Sequence, residues 1–149
     1  RQAIMEIMEK QTFKTLSVHV TVNEPIEKVW KNFTHPEDIV HWYNASEDWH
    51  APRATNDLRT GGKFLTRMEA KDGSFGFDFE GVYSEVIDYK LIVYGLADGR
   101  QVQIKFLELN KKTTEVLEVF DAETVNPLEM QQTGWQNILN NFKRYCETY

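Results

Sequence analysis

The sequence predicts an α+β fold: a curved antiparallel sheet of about six or seven strands wrapped around one long C-terminal helix, with two short helices after the first strand. Three observations carry this. Segments of alternating hydrophobicity follow one another through most of the chain, separated by short turn signals. A helical period interrupts them once, between Pro25 and Trp42. From Asn126-Pro127 onward the period becomes helical and stays so to the chain end. Strands joined by sequential hairpins pair antiparallel, and such a sheet buries one face against a helix.

Phe13 to Val22 reads as the first strand, because Leu16, Val18, Val20 and Val22 alternate with Ser17, His19 and Thr21. Asn23 is the expected N-cap of the helix that follows, with Pro25 near its first turn. Ile26, Val29, Trp30 and Phe33 keep helical spacing until Thr34-His35-Pro36 breaks it and starts a second short helix through Trp42. Trp49 to Thr55 reads as a short edge strand containing Pro52, and Gly61-Gly62 turns the chain into Lys63–Ala70. Lys71-Asp72-Gly73-Ser74 is a hairpin loop. Phe75 to Ile87 is a long strand with Phe75, Phe77, Phe79, Gly81 and Tyr83 on one face and Asp78 and Glu80 on the other. Leu91–Leu96, a strand with Val102, Ile104 and Phe106 in phase, and Thr113–Phe120 complete the meander, turned at Asp98-Gly99 and at Asn110-Lys111-Lys112. The final helix, about 20 residues and roughly 30 Å long, carries Leu128, Trp135, Leu139, Phe142 and Cys146 on one stripe.

The 149 residues fit one domain, read as 13–149, with 1–12 as an N-terminal extension. Residue 1 is arginine, so that end reads as processed, truncated or in part tag-derived. A hydrophobic share of 41% with 27% charged residues is globular rather than disordered. The net charge of −6, with cations scattered along the chain, argues against nucleic-acid binding and against docking on anionic membranes. The longest apolar run, Leu91 to Ala97, is interrupted by Gly95 and is far too short to span a bilayer. Cys146 is the single cysteine, which excludes an internal disulfide and, with no signal-peptide pattern, points to the cytoplasm. A monomer or weak dimer is expected, since Pro52 disfavours pairing along the Trp49–Thr55 edge.

Several ordered motifs carry a family resemblance. They are Asn23-Glu24-Pro25-Ile26-Glu27-Lys28-Val29-Trp30, Thr34-His35-Pro36-Glu37 with Trp42, Asp57-Leu58-Arg59-Thr60-Gly61-Gly62-Lys63-Phe64, Phe79-Glu80-Gly81-Val82-Tyr83, and Gly134-Trp135 with Leu139. In this order they resemble the START-like, helix-grip superfamily (birch-pollen-allergen-like folds, or SRPBCC). Within it the chain is most similar to homologues of the activator of the heat-shock-protein-90 ATPase. The resemblance implies a helix-grip fold and one of three roles: a binder of small hydrophobic or aromatic molecules, a stimulator of a chaperone ATPase, or a cyclase-type enzyme. Fold alone does not choose among them.

Phe75, Phe77, Phe79 and Tyr83 either line a pocket opposite Trp135 or fill a dry core. Phe64, Met68, Ile104 and Phe106 from neighbouring strands and Ile138 from the helix extend the same candidate pocket, and Tyr83, Tyr94 and Gln131 would supply polar tips. Trp42, Tyr43 and Trp49 are expected to pack the short helices on the sheet rim, or else to form the pocket mouth. Gly134, inside a helix, marks either a close approach to the sheet or room for a ligand. Asp57 to Gly62 lacks both G-x-x-x-x-G-K-S/T and G-x-G-x-x-G and reads as a turn, so no cofactor is expected. His19, His35, His41 and His50 show no metal-ligand spacing, and no nucleophile motif is present. Asp78, Glu80 and Arg67 should face outward, which leaves no convincing catalytic pair. The reading is a ligand-binding protein rather than an enzyme.

Overall fold

The computed structural model describes residues 12–149; most of the N-terminal extension lies outside them. The chain runs β1 (Thr15–Val22), α1 (Ile26–Thr34), α2 (Pro36–Ile39), β2 (Trp49–His50), β3 (Ala54–Asn56), β4 (Lys63–Ala70), β5 (Gly76–Ile87), β6 (Leu91–Gly95), β7 (Gln101–Asn110), β8 (Thr113–Asp121) and α3 (Leu128–Thr148). The strands form one antiparallel sheet in the order β1-β8-β7-β6-β5-β4-β2, with β3 also paired to β4. The first and last strands are therefore neighbours, with Val18 opposite Glu118 and Val20 opposite Val116. Period-two patterning sets which face is buried. Val18, Val20, Val22, Val102, Ile104, Phe106, Val116 and Phe120 all point inward.

Local details depart from the expected boundaries in informative ways. Asn23 does not cap α1: Pro25 occupies the cap position without a side-chain bond, and the Asn23 N–H instead donates to Glu147 Oε2 at 2.7 Å. The Trp49–Thr55 strand is split in two around Pro52, consistent with its missing N–H. Phe75 falls in the β4–β5 loop rather than in β5. Leu128, at the start of α3, is exposed rather than on the buried stripe, which comprises Leu139, Phe142 and Cys146.

α3 crosses beside β1, the edge strand, and caps its unpaired carbonyls. Gln132 donates to Ser17 O at 3.1 Å, Gln136 to His19 O at 3.0 Å, and Lys143 to Thr21 O at 2.5 Å. These three acceptors lie two residues apart, the repeat of one side of a strand. The apolar face of α3 turns to the sheet, where Phe142 meets Phe33 at 5.1 Å and Trp42 at 4.9 Å between ring centroids. Phe33 and Trp30 also meet Phe106 edge-on, which closes one end of the sheet with a packed aromatic cluster. Toward β4 and β5 the packing is less complete.

Candidate functional site

The incomplete packing leaves two adjoining cavities, one between the sheet and the α1–α2 segment and one between the sheet and α3. The inner one, about 50 Å³, is lined by Trp42, Tyr43, Asn56, Phe64, Tyr83, Tyr94, Ile104 and Glu118, among others. The outer one, about 230 Å³, is lined by Tyr43, Met68, Phe77, Phe79, Arg100, Glu118, Trp135 and Ile138. Tyr43 and Glu118 line both and mark the junction.

Backbone placement sets the position of one cavity wall. Gly81 on β5 has no side chain to fill its inward position, and a Cβ there would sit 2.7 Å from Phe64 Cε2 and 2.8 Å from Gly95 O. Phe64 therefore lies over Gly81, with Tyr94 at 4.7 Å and Tyr83 at 5.4 Å between centroids. On the opposite wall Trp135 stacks flat on Phe120, 3.9 Å between centroids and 7° between planes. Phe79 stands edge-on between them, 6.3 Å from Trp135 and 6.2 Å from Tyr94.

Some of the polar groups on these walls are engaged within the protein and others are not. Tyr83 Oη donates to Asn56 Oδ1 at 2.5 Å, which fixes one of the tips. Glu118 is only 8% exposed, and nothing among the described residues hydrogen-bonds its carboxyl. Burial alone pushes that carboxyl up to about 8, since a charged form would lose its hydration without gaining a counter-charge. Burial likewise holds Tyr43, Tyr83 and Tyr94 above the ordinary tyrosine range, and the Glu118 carboxylate would raise Tyr43 and Tyr94 further. The guanidinium in the outer cavity, Arg100, donates from Nε to Asp98 Oδ2 at 2.7 Å.

The structure thus brings Trp42, Phe64, Met68, Phe77, Phe79, Tyr83, Tyr94, Ile104, Trp135 and Ile138 onto cavity walls. Trp42 is also a packing anchor, 2% exposed, with its indole N–H on Asn32 O. Five of the candidate residues lie elsewhere. Phe106 is a ring of the sealed cluster, packed on Trp30 and Phe33. Phe75 is 62% exposed and, with Phe77, packs on Trp49, so Phe75 and Trp49 form a surface cluster outside both cavities. Gln131 caps the entry to α3, bonding Glu123 and Asn126. Gly134 approaches nothing: a Cβ there would have no neighbour within 4 Å, and the residue lines neither cavity.

Glu118 is the residue sequence reasoning missed. The signal was present, because Glu118 is in phase with Val116 and Phe120 and should have been read as inward-facing. Arg67, by contrast, faces outward as expected and pairs with Glu69 and Asp78. A larger depression of about 560 Å³ lies outside the sheet–helix space, between residues 44–47 and the polar face of α3, and is open and lined by Asn137, Asn140, Asn141 and Arg144. His35, Glu37 and Asp38 bring potential metal-ligand atoms within 4.8 Å of one another. His35 and Glu37 pair with each other, and Asp38 takes Lys31 Nζ and the Tyr145 hydroxyl.

No curated protein matches the chain. A family model described as Activator of Hsp90 ATPase homolog 1-like protein matches residues 23–147. The solution structure of an AHSA1-like protein from Aeromonas hydrophila is 42% identical, covers 90% of this chain and 92% of that one, and superposes with a TM-score of 0.83. A solution structure of a protein from Cytophaga hutchinsonii is 52% identical over 89% of this chain and 92% of its own, with a TM-score of 0.78. A crystal structure from Nitrosomonas europaea, 21% identical over 89% of this chain and 94% of its own, shares the fold at a TM-score of 0.77. Together with the sheet gripping a long C-terminal helix, these matches show that the chain belongs to the Activator of Hsp90 ATPase homolog 1-like family, with a START/SRPBCC-type helix-grip fold.

Proposed function

We propose that the chain binds a small hydrophobic or aromatic molecule in the cavity between the sheet and α3, working in the cytoplasm. The observation that carries this is a cavity of about 230 Å³ walled by Met68, Phe77, Phe79, Trp135 and Ile138. Its volume lies just under the usual ~300–1,000 Å³ of ligand sites, so a molecule of one or two rings suits it. Affinity would come from apolar area removed from water, about 25 cal/mol per Å², less the cost of immobilising the ligand.

Two-dimensional amide NMR during titration with naphthalene and indole tests the reading. Saturable shifts should centre on Phe64, Phe79 and Trp135, and Trp135→Ala should weaken binding at least ~10-fold, about 1.4 kcal/mol, in a folded protein. Absence of saturable shifts at millimolar ligand would remove the proposal.

A second reading draws on the family description, which names an ATPase activator, and on the exposed Trp49–Phe75–Phe77 cluster. Exposed aromatic clusters often mark contact surfaces. In this reading the chain stimulates a chaperone ATPase. The test is the ATPase rate of a cognate chaperone with wild-type protein and with Phe75→Ser. Identical rates with and without the protein would dispose of it.

A further inference from the structure

Building on the binding reading above, we infer that the cavity recognises its ligand through a carbonyl oxygen, which accepts hydrogen bonds from the Glu118 carboxyl and from the Tyr43 and Tyr94 hydroxyls. All three groups line the inner cavity, and two of them reach the outer one as well. None has a hydrogen-bond partner among the described residues, whereas Tyr83 beside them is satisfied by Asn56. Among the described residues no fully buried side-chain oxygen is left without a partner, so these three open onto the cavity, where a polar group of the ligand can reach them.

The surroundings decide its chemistry. Glu118 is opposite Val18 and Ile104 in the sheet, and α3 presents Trp135 and Ile138 to the cavity, none of them ionisable. The titratable or charged groups lining the two cavities with Glu118 are Tyr43, Tyr83, Tyr94 and Arg100. Among the described residues no cation lines the inner cavity, and Arg100 in the outer one is engaged by Asp98. A carboxyl so placed stays protonated at neutral pH, and burial lifts it to about 8. It is then an O–H donor beside two phenolic donors, a set that suits an acceptor oxygen. An ammonium group would leave the protons of all three without an acceptor, with Arg100 adding repulsion.

A matched pair of probes tests this: acetophenone and α-methylstyrene, which differ by C=O against C=CH2, with 1-phenylethylamine as the cationic comparison. Affinities are read by NMR titration at pH 6.5 and 9.5. Wild-type protein should favour the ketone over the hydrocarbon roughly 10-fold at pH 6.5, the worth of about one good hydrogen bond. The preference should fall several-fold at pH 9.5, where the carboxylate has lost its donor and only the two phenolic donors remain. Glu118→Gln, whose amide donates at any pH, should keep the preference at both values, and Tyr94→Phe should reduce it about threefold at pH 6.5. Equal affinity for ketone and hydrocarbon at pH 6.5 overturns the inference and leaves the pocket standing. So does preferred binding of the amine, with affinity rising with pH. If naphthalene, indole and all three probes fail to bind a protein with native amide spectra, the pocket reading falls and this inference with it.

Discussion

Replacing Glu118 by glutamine isolates the energetic effect of one buried carboxyl, because the amide keeps its shape and cannot ionise. In the folded chain that carboxyl titrates near 8, against 4.5 for the free side chain. The sign follows from linkage. Below the unfolded value both states are protonated and the group imposes no penalty. As pH rises past it, the unfolded chain gains the solvation of a free carboxylate while the native chain holds its proton, so native stability falls until the folded value is passed. Each unit is worth about 1.4 kcal/mol, so between pH 5 and pH 7 wild-type protein should lose roughly 2–3 kcal/mol that Glu118→Gln does not lose. Urea unfolding of both proteins at pH 5, 6 and 7 measures this. With slopes of about 1–3 kcal/mol per molar, the two midpoints should separate by on the order of 1 M between the first and last pH. The difference between the proteins cancels the histidines and surface carboxylates common to both. Parallel midpoints across the whole range would refute the reasoning, because they would mean that Glu118 is already ionised in the native state.

Other perturbations follow from the same packing. Phe142 is fully buried, and Phe142→Ala should cost about 3–5 kcal/mol in chemical denaturation. Phe79→Ala, at a half-open wall, should cost under half of that while weakening ligand binding more. Gly134→Ala should stabilise by up to ~1 kcal/mol, raising Tm by about 2–4 °C, because a Cβ there meets nothing. A drop in Tm would show that the glycine serves a contact. Cys146 is 0% exposed, accepts a bond from Asn32 Nδ2 at 3.3 Å, and is pushed up to about 11 by burial. Its thiol should therefore resist Ellman's reagent in native protein and react fully in guanidinium.

The framework was legible because patterning alone fixes it. Alternation placed Val18, Val20, Val102, Ile104, Val116 and Phe120 inward, and the change of period after Asn126 placed Leu139, Phe142 and Cys146 on one buried stripe. What patterning cannot supply is distance along a strand from the residues that cover it. Phe75, Phe77, Phe79 and Tyr83 share one parity, yet they run from 62% exposed at Phe75 to 6% at Tyr83, because Phe64, Tyr94 and Asn56 cover the Tyr83 end while Phe75 meets only the surface cluster at Trp49 and Phe77. Gln131 and Gln136 are both polar residues of one helix, but one closes a turn and the other meets a strand edge. Glu118 escaped for a different reason. An acidic residue in a β-strand is expected outside, and only its phase with Val116 and Phe120 said otherwise.

The bonds from Gln132, Gln136 and Lys143 to β1 reach beyond this molecule. A bare outermost strand is an invitation to any extended chain, and proteins built on one open sheet risk stacking into filaments through it. Here the acceptors at Ser17, His19 and Thr21 are already spoken for. The far margin offers only β2 and β3, of two and three residues, with Pro52 between them. Among the described residues, one border of the sheet thus has its carbonyls engaged and the other is broken into fragments, so neither offers a long row of free acceptors to an incoming strand.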